Sequence, residues 1–221
     1  MKSTIRIFCT AILALSFSSC GGGGGGGGGS GVRFIHASID SPPASLATSV
    51  EGKTGSEVAK FGTSARRVSF DQGAQTLSAV RGATGRVLAS TSIDFDPGSK
   101  TSLLFFGDRA ALGLHAALLN DEPGEVPSGQ VAVRVVHAVN GAGVINFTLG
   151  AGGAGTSGSA SYGQGSEWLF IAPGVYRLAA VRAADQRAVF SGQKSFTAGS
   201  TYTVVLMGEV DYLVTAPDFA D

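Results

Sequence analysis

The sequence predicts an all-β chain made of two tandem antiparallel β-sandwiches. Three observations carry that expectation: a strand written twice, a repeat that keeps one register, and apolar runs at strand spacing. Residues 32–37 read VRFIHA and residues 133–138 read VRVVHA, 101 positions further on. The same shift lays Phe61-Gly62 on Tyr162-Gly163, Gly73 on Gly174, Leu77–Arg81 on Leu178–Arg182, Phe95 on Phe196 and Gly98-Ser99 on Gly199-Ser200. It also lays TSLLFFG (101–107) on YTVVLMG (202–208). A register held this long marks two copies of one unit.

Within copy one, the runs VRFIHAS, SLATSVEG, RRVSFDQ, QTLSAVR, RVLASTSIDF, TSLLFF and LGLHAALL are short and apolar or alternating. Copy two repeats them as VRVVHAV, VINFTLG, EWLFIAP, YRLAAVR, RAVFSGQKSF, TYTVVLM and DYLVTA. No long stretch keeps a 3.6-residue period, which excludes a substantial helical part. About seven strands in ~90 residues is an Ig-like sandwich pattern. LLFF and VVLM lack alternation, as central strands covered on both faces should. The runs are too short for a transmembrane barrel, whose strands need about 10 residues.

These boundaries give a first repeat at 32–121, a linker at 122–130 and a second repeat at 131–221. The linker, EPGEVPSGQ, is polar and broken by Pro and Gly. Each copy carries its own set of strands and would bury roughly 65% of its extended surface. Each is therefore expected to fold separately.

The front of the chain reads as an address. Lys2 and Arg6 form a basic start, Ile7–Leu15 is a short apolar stretch, and Ser16–Ser19 leads to Cys20. That apolar stretch suits a signal peptide over 1–19 and is too short to span a bilayer, which takes about 20 residues. The string LSFSSC resembles the lipobox of bacterial lipoproteins, in which the cysteine is lipidated after cleavage. An ordinary secretory signal that leaves Cys20 as a thiol is the alternative. The nine glycines Gly21–Gly29 favour the anchor, because a slack tether of roughly 20 Å serves only when its start is fixed. With Gly21 rather than Asp after the cysteine, the resemblance implies the outer membrane of a Gram-negative envelope, with residues 20–31 as lipidated start and tether.

Charge and cysteine usage agree. The chain has 16 basic and 16 acidic residues, and removing Lys2 and Arg6 leaves 14 against 16, so there is no basic field for nucleic acid. The only cysteines, Cys9 and Cys20, both precede the repeats, so no disulfide can staple either unit.

Beyond the lipobox, VRFIHAS followed by Ser41-Pro42-Pro43, FG, a Gly-x-x-x-Leu strand, a Phe-x-x-Gly turn, TSLLFFGD and a closing LLND resembles the family catalogued as domain of unknown function 4397. The resemblance covers both copies, nearly all of 32–215. Copy two departs from it at Val139-Asn140-Gly141. It implies an envelope or secreted bacterial protein, often a lipoprotein with tandem copies, and it brings no activity.

Few residues suggest chemistry. His36 and His137 share an apolar strand face with Val32 and Phe34, or with Val133, Val135 and Val139, which marks them as fold residues that pin a strand through a backbone bond. A metal or catalytic role would need ligand neighbours, and none can be assembled around them or around His115. Arg81 and Arg86, and their counterparts Arg182 and Arg187, flank one hairpin turn. They are either solvated strand ends paired with acids or a grip for an anion. Trp168 is either core or a platform for a sugar ring.

Three motifs are decoys. Gly150–Gly155 has G-x-G-x-x-G spacing but runs into TSGSASYGQG rather than a helix, so it reads as a loose loop. Asp94 and Asp96 mark a strand-to-turn boundary, since copy two has Ser195 and Thr197 there. Gly98–Thr101 resembles only the end of a phosphate loop. No G-x-S-x-G elbow is present. No catalytic residue, metal ligand or cofactor is expected.

The leading expectation is a non-catalytic envelope lipoprotein with a structural, adhesive or partner-binding role, held to the membrane through Cys20 and facing an envelope protein or polysaccharide. A carbohydrate- or polyanion-binding module that uses Trp168 or the arginine hairpins comes second, and an envelope hydrolase third. The anchor yields a direct prediction. Acyl chains at about 0.8 kcal/mol per buried CH₂ hold a protein stably once two or more are present. Cys20→Ala should therefore move the protein out of the membrane fraction; unchanged fractionation would refute the lipid.

Overall fold

The computed structural model describes residues 31–48, 57–96, 98–108, 113–152, 154–210 and 213–221. The leader, Cys20 and most of the tether fall outside the described residues, which form strands and turns with no helix. The first half contains β1 (Gly31–His36), β2 (Ala44–Thr48), β3 (Thr63–Ser64), β4 (Gly73–Arg81), β5 (Val87–Phe95), β6 (Lys100–Asp108) and β7 (Gly113–Asn120). The second contains β8 (Val131–Asn140), β9 (Ile145–Ala151), β10 (Ala154–Ala160), β11 (Leu169–Ile171) and β12 (Gly174–Arg182). It closes with β13 (Ala188–Phe196), β14 (Thr201–Glu209), β15 (Leu213–Thr215) and β16 (Asp218–Ala220).

Each half is a two-sheet sandwich. In the first, the sheet β3-β1-β6-β7 faces β2-β4-β5. In the second, β11-β8-β14-β15, with β16 also on β14, faces β10-β9-β12-β13. Over three strands the repeat is exact in the backbone: β4, β5 and β6 map onto β12, β13 and β14 residue for residue, and the irregularity at Ala79/Val80 recurs at Ala180/Val181. The strand pairs are antiparallel except one in each half, where β1 runs parallel to β6 and β8 to β14. Parallel neighbours need a long crossover, and here the opposite sheet serves as that crossover.

Three local departures from the sequence reading have physical causes. The segment after Gly150 is not a loose loop: β10 pairs with β9 in unbroken register from Ala154↔Ala151 to Ala160↔Ile145. Its Gly and Ser residues hide the strand signal, yet Gly158 is required, because a Cβ there would come within 2.6 Å of the Phe147 ring. The run RRVSFDQ forms no ladder beyond a single Val32↔Val68 bridge. Arg67 instead ties it down by donating to the Gly31 and Thr101 carbonyls at 3.3 and 2.9 Å. Finally, β7 is continuous, whereas its counterpart is split into β15 and β16 around Pro217, which stands where copy one has Ala116.

Each sandwich has its own core. Val32, Phe34, Leu46, Leu77, Phe95, Leu103 and Phe105 fill the first; Val133, Val135, Phe147, Leu149, Leu178, Phe196 and Leu206 fill the second. A third core lies between the sandwiches, made by the outward faces of the central strands. Ile35, Ala37, Leu104, Phe106 and Leu119 meet Val136, Ala138, Val205 and Met207. This second cover is why LLFF and VVLM do not alternate. The Phe106 ring sits against Tyr162, edge on at 5.1 Å, and over Gly163, where a Cβ would come within 2.4 Å of it.

The shared seam changes what separation should do. Residues 31–121 and 131–221 produced apart should each melt below the joined chain, because both expose apolar strands that burial stabilises at ~25 cal/mol per Å². Mixed, they should reassociate, which size-exclusion chromatography would register. Halves that melt as high as the joined chain and stay apart would show that the seam contributes nothing.

Candidate functional site

The seam also holds most of the buried charge. On β1 and β8 the residues that alternate with the core-facing His, Val and Phe point at the other sandwich, and two of them are arginines, Arg33 and Arg134. They are 5% and 4% exposed. The repeat places them alike: Arg33 Nε donates to Ser102 Oγ at 3.1 Å, and Arg134 Nε donates to Thr203 Oγ1 at 3.1 Å. Ser102 and Thr203 are themselves counterparts on β6 and β14.

Asp121, just after β7 and 2% exposed, is the common acceptor. Its Oδ2 takes hydrogen bonds from Arg67 Nη2 and Ser102 Oγ, both at 2.6 Å, while Oδ1 receives Arg134 Nη2 from the other half. Asp221 answers from the second half, accepting from Arg67 Nε at 3.3 Å and from Nη2 at 2.7 Å. Arg134 also donates to the Asn120 carbonyl, and its guanidinium stacks 4.6 Å from the Trp168 ring centre. Burial lowers the pKa of Arg33 and Arg134, partly offset by Asp121. Arg67 is raised: burial opposes its charge, but hydrogen bonds and attraction from Asp221 and Asp121 outweigh that.

Arg33 is the least satisfied of the three. Its Nη2 lies 3.5 Å from Asp121 Oδ2 and 3.3 Å from Asp221 Oδ2 but makes no hydrogen bond. Beside it opens a cleft of about 600 Å³ with Arg66, Arg67, Ser64, Asp218 and Phe219 on its walls.

The histidines sit in the sandwich cores, fully buried. His36 Nε2 bonds the Pro42 carbonyl at 3.0 Å and His137 Nε2 bonds the Gly143 carbonyl at 2.6 Å. Pro42 and Gly143 are counterparts, so each ring ties its strand to the loop six residues on. With Nε2 donating, Nδ1 of His137 accepts from the Val139 amide at 3.1 Å. Burial lowers both pKa values, that of His137 to about 4.

The arginine hairpins differ between copies. Arg81 and Arg182 start equivalent turns, bonded through their amides to the Arg86 and Arg187 carbonyls at 2.8 and 2.9 Å. Arg182 forms a two-pronged pair with Asp185 inside its own turn. Copy one has Thr84 at that place, and Arg81 and Arg86 line a small cleft of about 120 Å³ with Pro42 and Leu114. Trp168 is half-buried, and Arg134 occupies one ring face. Cys20 lies outside the described residues. Among the described residues no group of three or more His, Cys, Asp or Glu could hold a metal.

Sequence reasoning singled out the histidines of VRFIHA and VRVVHA and passed over the arginines beside them. The signal was present: a strand covered on both faces cannot leave its alternate charged residue in water, so Arg33 and Arg134 had to be paired. Their partners, Asp121 and Asp221, carry no pattern that identifies them.

The family model described as Domain of unknown function (DUF4397) matches residues 30–148 and 132–219. No curated protein matches. Among solved structures, a family 26 carbohydrate-binding module from Eubacterium rectale, in complex with maltoheptaose, is 11% identical with a TM-score of 0.31, covering 86% of this chain and 97% of that one. A candidate cell adhesion protein from Bacteroides ovatus is 9% identical with a TM-score of 0.30, covering 86% and 95%. At such scores neither bears on the role of this chain.

The histidines give a pH prediction. An unfolded histidine titrates near 6.5, whereas folded His137 titrates at about 4, so the unfolded chain binds the extra proton first as pH falls. The stability that the neutral ring supplies is complete above pH 6.5 and is lost on acidification towards pH 4, by about 3 kcal/mol. His137→Phe should be less stable at pH 7 by about 1–3 kcal/mol, through the unpaired Gly143 carbonyl and Val139 amide. It should also lose less on acidification. Denaturant melts at pH 7 and pH 4 measure both effects; equal acid losses in the two proteins would contradict the assignment.

Proposed function

The chain belongs to the DUF4397 family, whose description names no activity, and on that premise we propose that it is a non-catalytic cell-envelope lipoprotein. Its address is the outer membrane, where Cys20 carries the anchor; its task is structural or adhesive, presenting one body of two fused sandwiches to an envelope partner. One observation carries this reading: the side chains best suited to chemistry are spent inside the structure. Arg67, Arg134, Asp121 and Asp221 bind the two halves to each other, and His36 and His137 bind strands to loops. Sheet faces and hairpins are what the body offers outward. A slack glycine leash then lets a rigid body reach a partner.

A second reading, a carbohydrate-binding module, is favoured by the outer face of β9, β10 and β12. An open groove of about 450 Å³ there carries Asn146, Thr148, Ser157, Ser159 and Gln186 above Ala179 and Val181. These uncharged donors and acceptors suit hydroxyl-rich ligands. Gln186 holds a left-handed backbone, φ 60°, where copy one has Gly85. Trp168 and the Arg182 hairpin serve this reading less well, since both already have partners.

The test uses Cys20→Ser protein, labelled and added to envelope vesicles prepared without the native protein. Saturable binding that unlabelled protein displaces is the expected result. Binding no greater than that of an unrelated sandwich of equal charge, or turnover of an envelope polymer by the purified protein, would overturn the proposal. Loss of binding on adding soluble polysaccharide, and its weakening by Asn146→Ala, would select the second reading.

A further inference from the structure

We infer that the cleft beside the seam is a binding site for a small oxyanion, a carboxylate or phosphate group, held by Arg33 and Arg66. This goes beyond the envelope role and stands whether or not the chain is anchored. The first observation is Arg33. It is 95% buried, lines the cleft, and makes a single hydrogen bond among the described residues, from Nε to Ser102. Its counterpart Arg134 uses all three guanidinium nitrogens, on Thr203, Asn120 and Asp121. A buried guanidinium with a nitrogen left unbonded is costly, and a charged acceptor compensates best.

The second observation is charge. Five cationic side chains, Arg33, Arg66, Arg67, Arg134 and Lys194, surround three carboxylates in and behind the cleft, those of Asp121, Asp218 and Asp221. Each carboxylate already has a cation: Asp121 and Asp221 hold Arg67 and flank Arg33 Nη2 at 3.5 and 3.3 Å without bonding it, and Asp218 pairs with Lys194 at 2.8 Å. Arg66 stands exposed at the rim with no bond to any described residue. The side-chain excess is therefore positive where the cleft opens, and neighbouring Arg67 further disfavours the charge on Arg33.

The geometry gives the ligand a shape. Two planar forks, Arg33 and Arg66, with Ser64 of β3 on the wall, suit an anion with two or more oxygens. Phe219 forms an apolar wall, its ring centre 5.9 Å from the Arg33 guanidinium carbon. At about 600 Å³ the cleft has room for an organic group behind the anion.

Inorganic phosphate, with acetate as the carboxylate probe, serves as the test ligand on the whole mature chain at fixed ionic strength. Calorimetry should show one saturable site per chain, and phosphate should raise the melting temperature more than chloride at the same ionic strength. Arg66→Gln should bind about tenfold more weakly, the loss of one charged hydrogen-bonding partner; it removes an exposed side chain and should fold. Arg177→Gln, on the far sheet, should bind as the unaltered chain does. A phosphate response equal to that of chloride, or equal binding by Arg66→Gln and the unaltered protein, would overturn the site. Preference for acetate over phosphate would assign the site to carboxylate ligands and keep it.

Discussion

The carboxylate of Asp121 is the interaction on which the arrangement of the two halves depends. It accepts from Arg67 and Ser102 of its own half and from Arg134 of the other, while Asp221 returns the favour to Arg67 from the second half. Charges this deeply buried add little net stability over an apolar seam, because desolvation offsets attraction. Removing one member is another matter: it leaves guanidiniums without a counter-charge, which costs about 3–5 kcal/mol in comparable pairs. An apolar seam of Ile, Leu and Val could slide. One that must also bring Asp121 to Arg134 has a single solution.

That constraint explains why each copy opens with the same strand. In VRFIHA and VRVVHA the two faces perform different tasks. The histidine face enters the sandwich core and ties the strand to the loop at Pro42 or Gly143. The arginine face leaves that core and meets the other copy, Arg134 at Asn120 and Asp121 and Arg33 at Asp221. Both faces are buried, so neither task can be moved to another position without losing the other. The hexapeptide repeats because both sandwiches need both tasks.

The copies diverge where symmetry would be unfavourable. Arg67 and Trp168 occupy equivalent places, yet one supplies a cation to two aspartates and the other a ring to a cation. A second arginine in place of Trp168 would crowd Arg134 with like charge. The same divergence leaves Arg134 fully bonded and Arg33 not, and the cleft opens on the side of Arg33. Function on a repeated scaffold is best sought at such differences, since the shared residues are occupied by folding.

By itself the sequence determined the secondary structure class, the two copies and their register, because strand alternation, turn glycines and a 101-residue shift are local or linear signals. It also placed His36 and His137 on core faces, since strand parity is set by counting. It could not show that β10 is a strand, because small residues such as those of AGTSGSA carry no apolar alternation and pair only when a neighbouring strand supplies a ring, here Phe147, for Gly158 to accommodate. Nor could it bring Arg33, Arg67, Arg134, Asp121 and Asp221 together. Those five are spread over 188 positions between Arg33 and Asp221, and only the packing of one sandwich on the other makes them neighbours. Charge pairing has no period along the chain; it exists only once the surfaces that carry it have met.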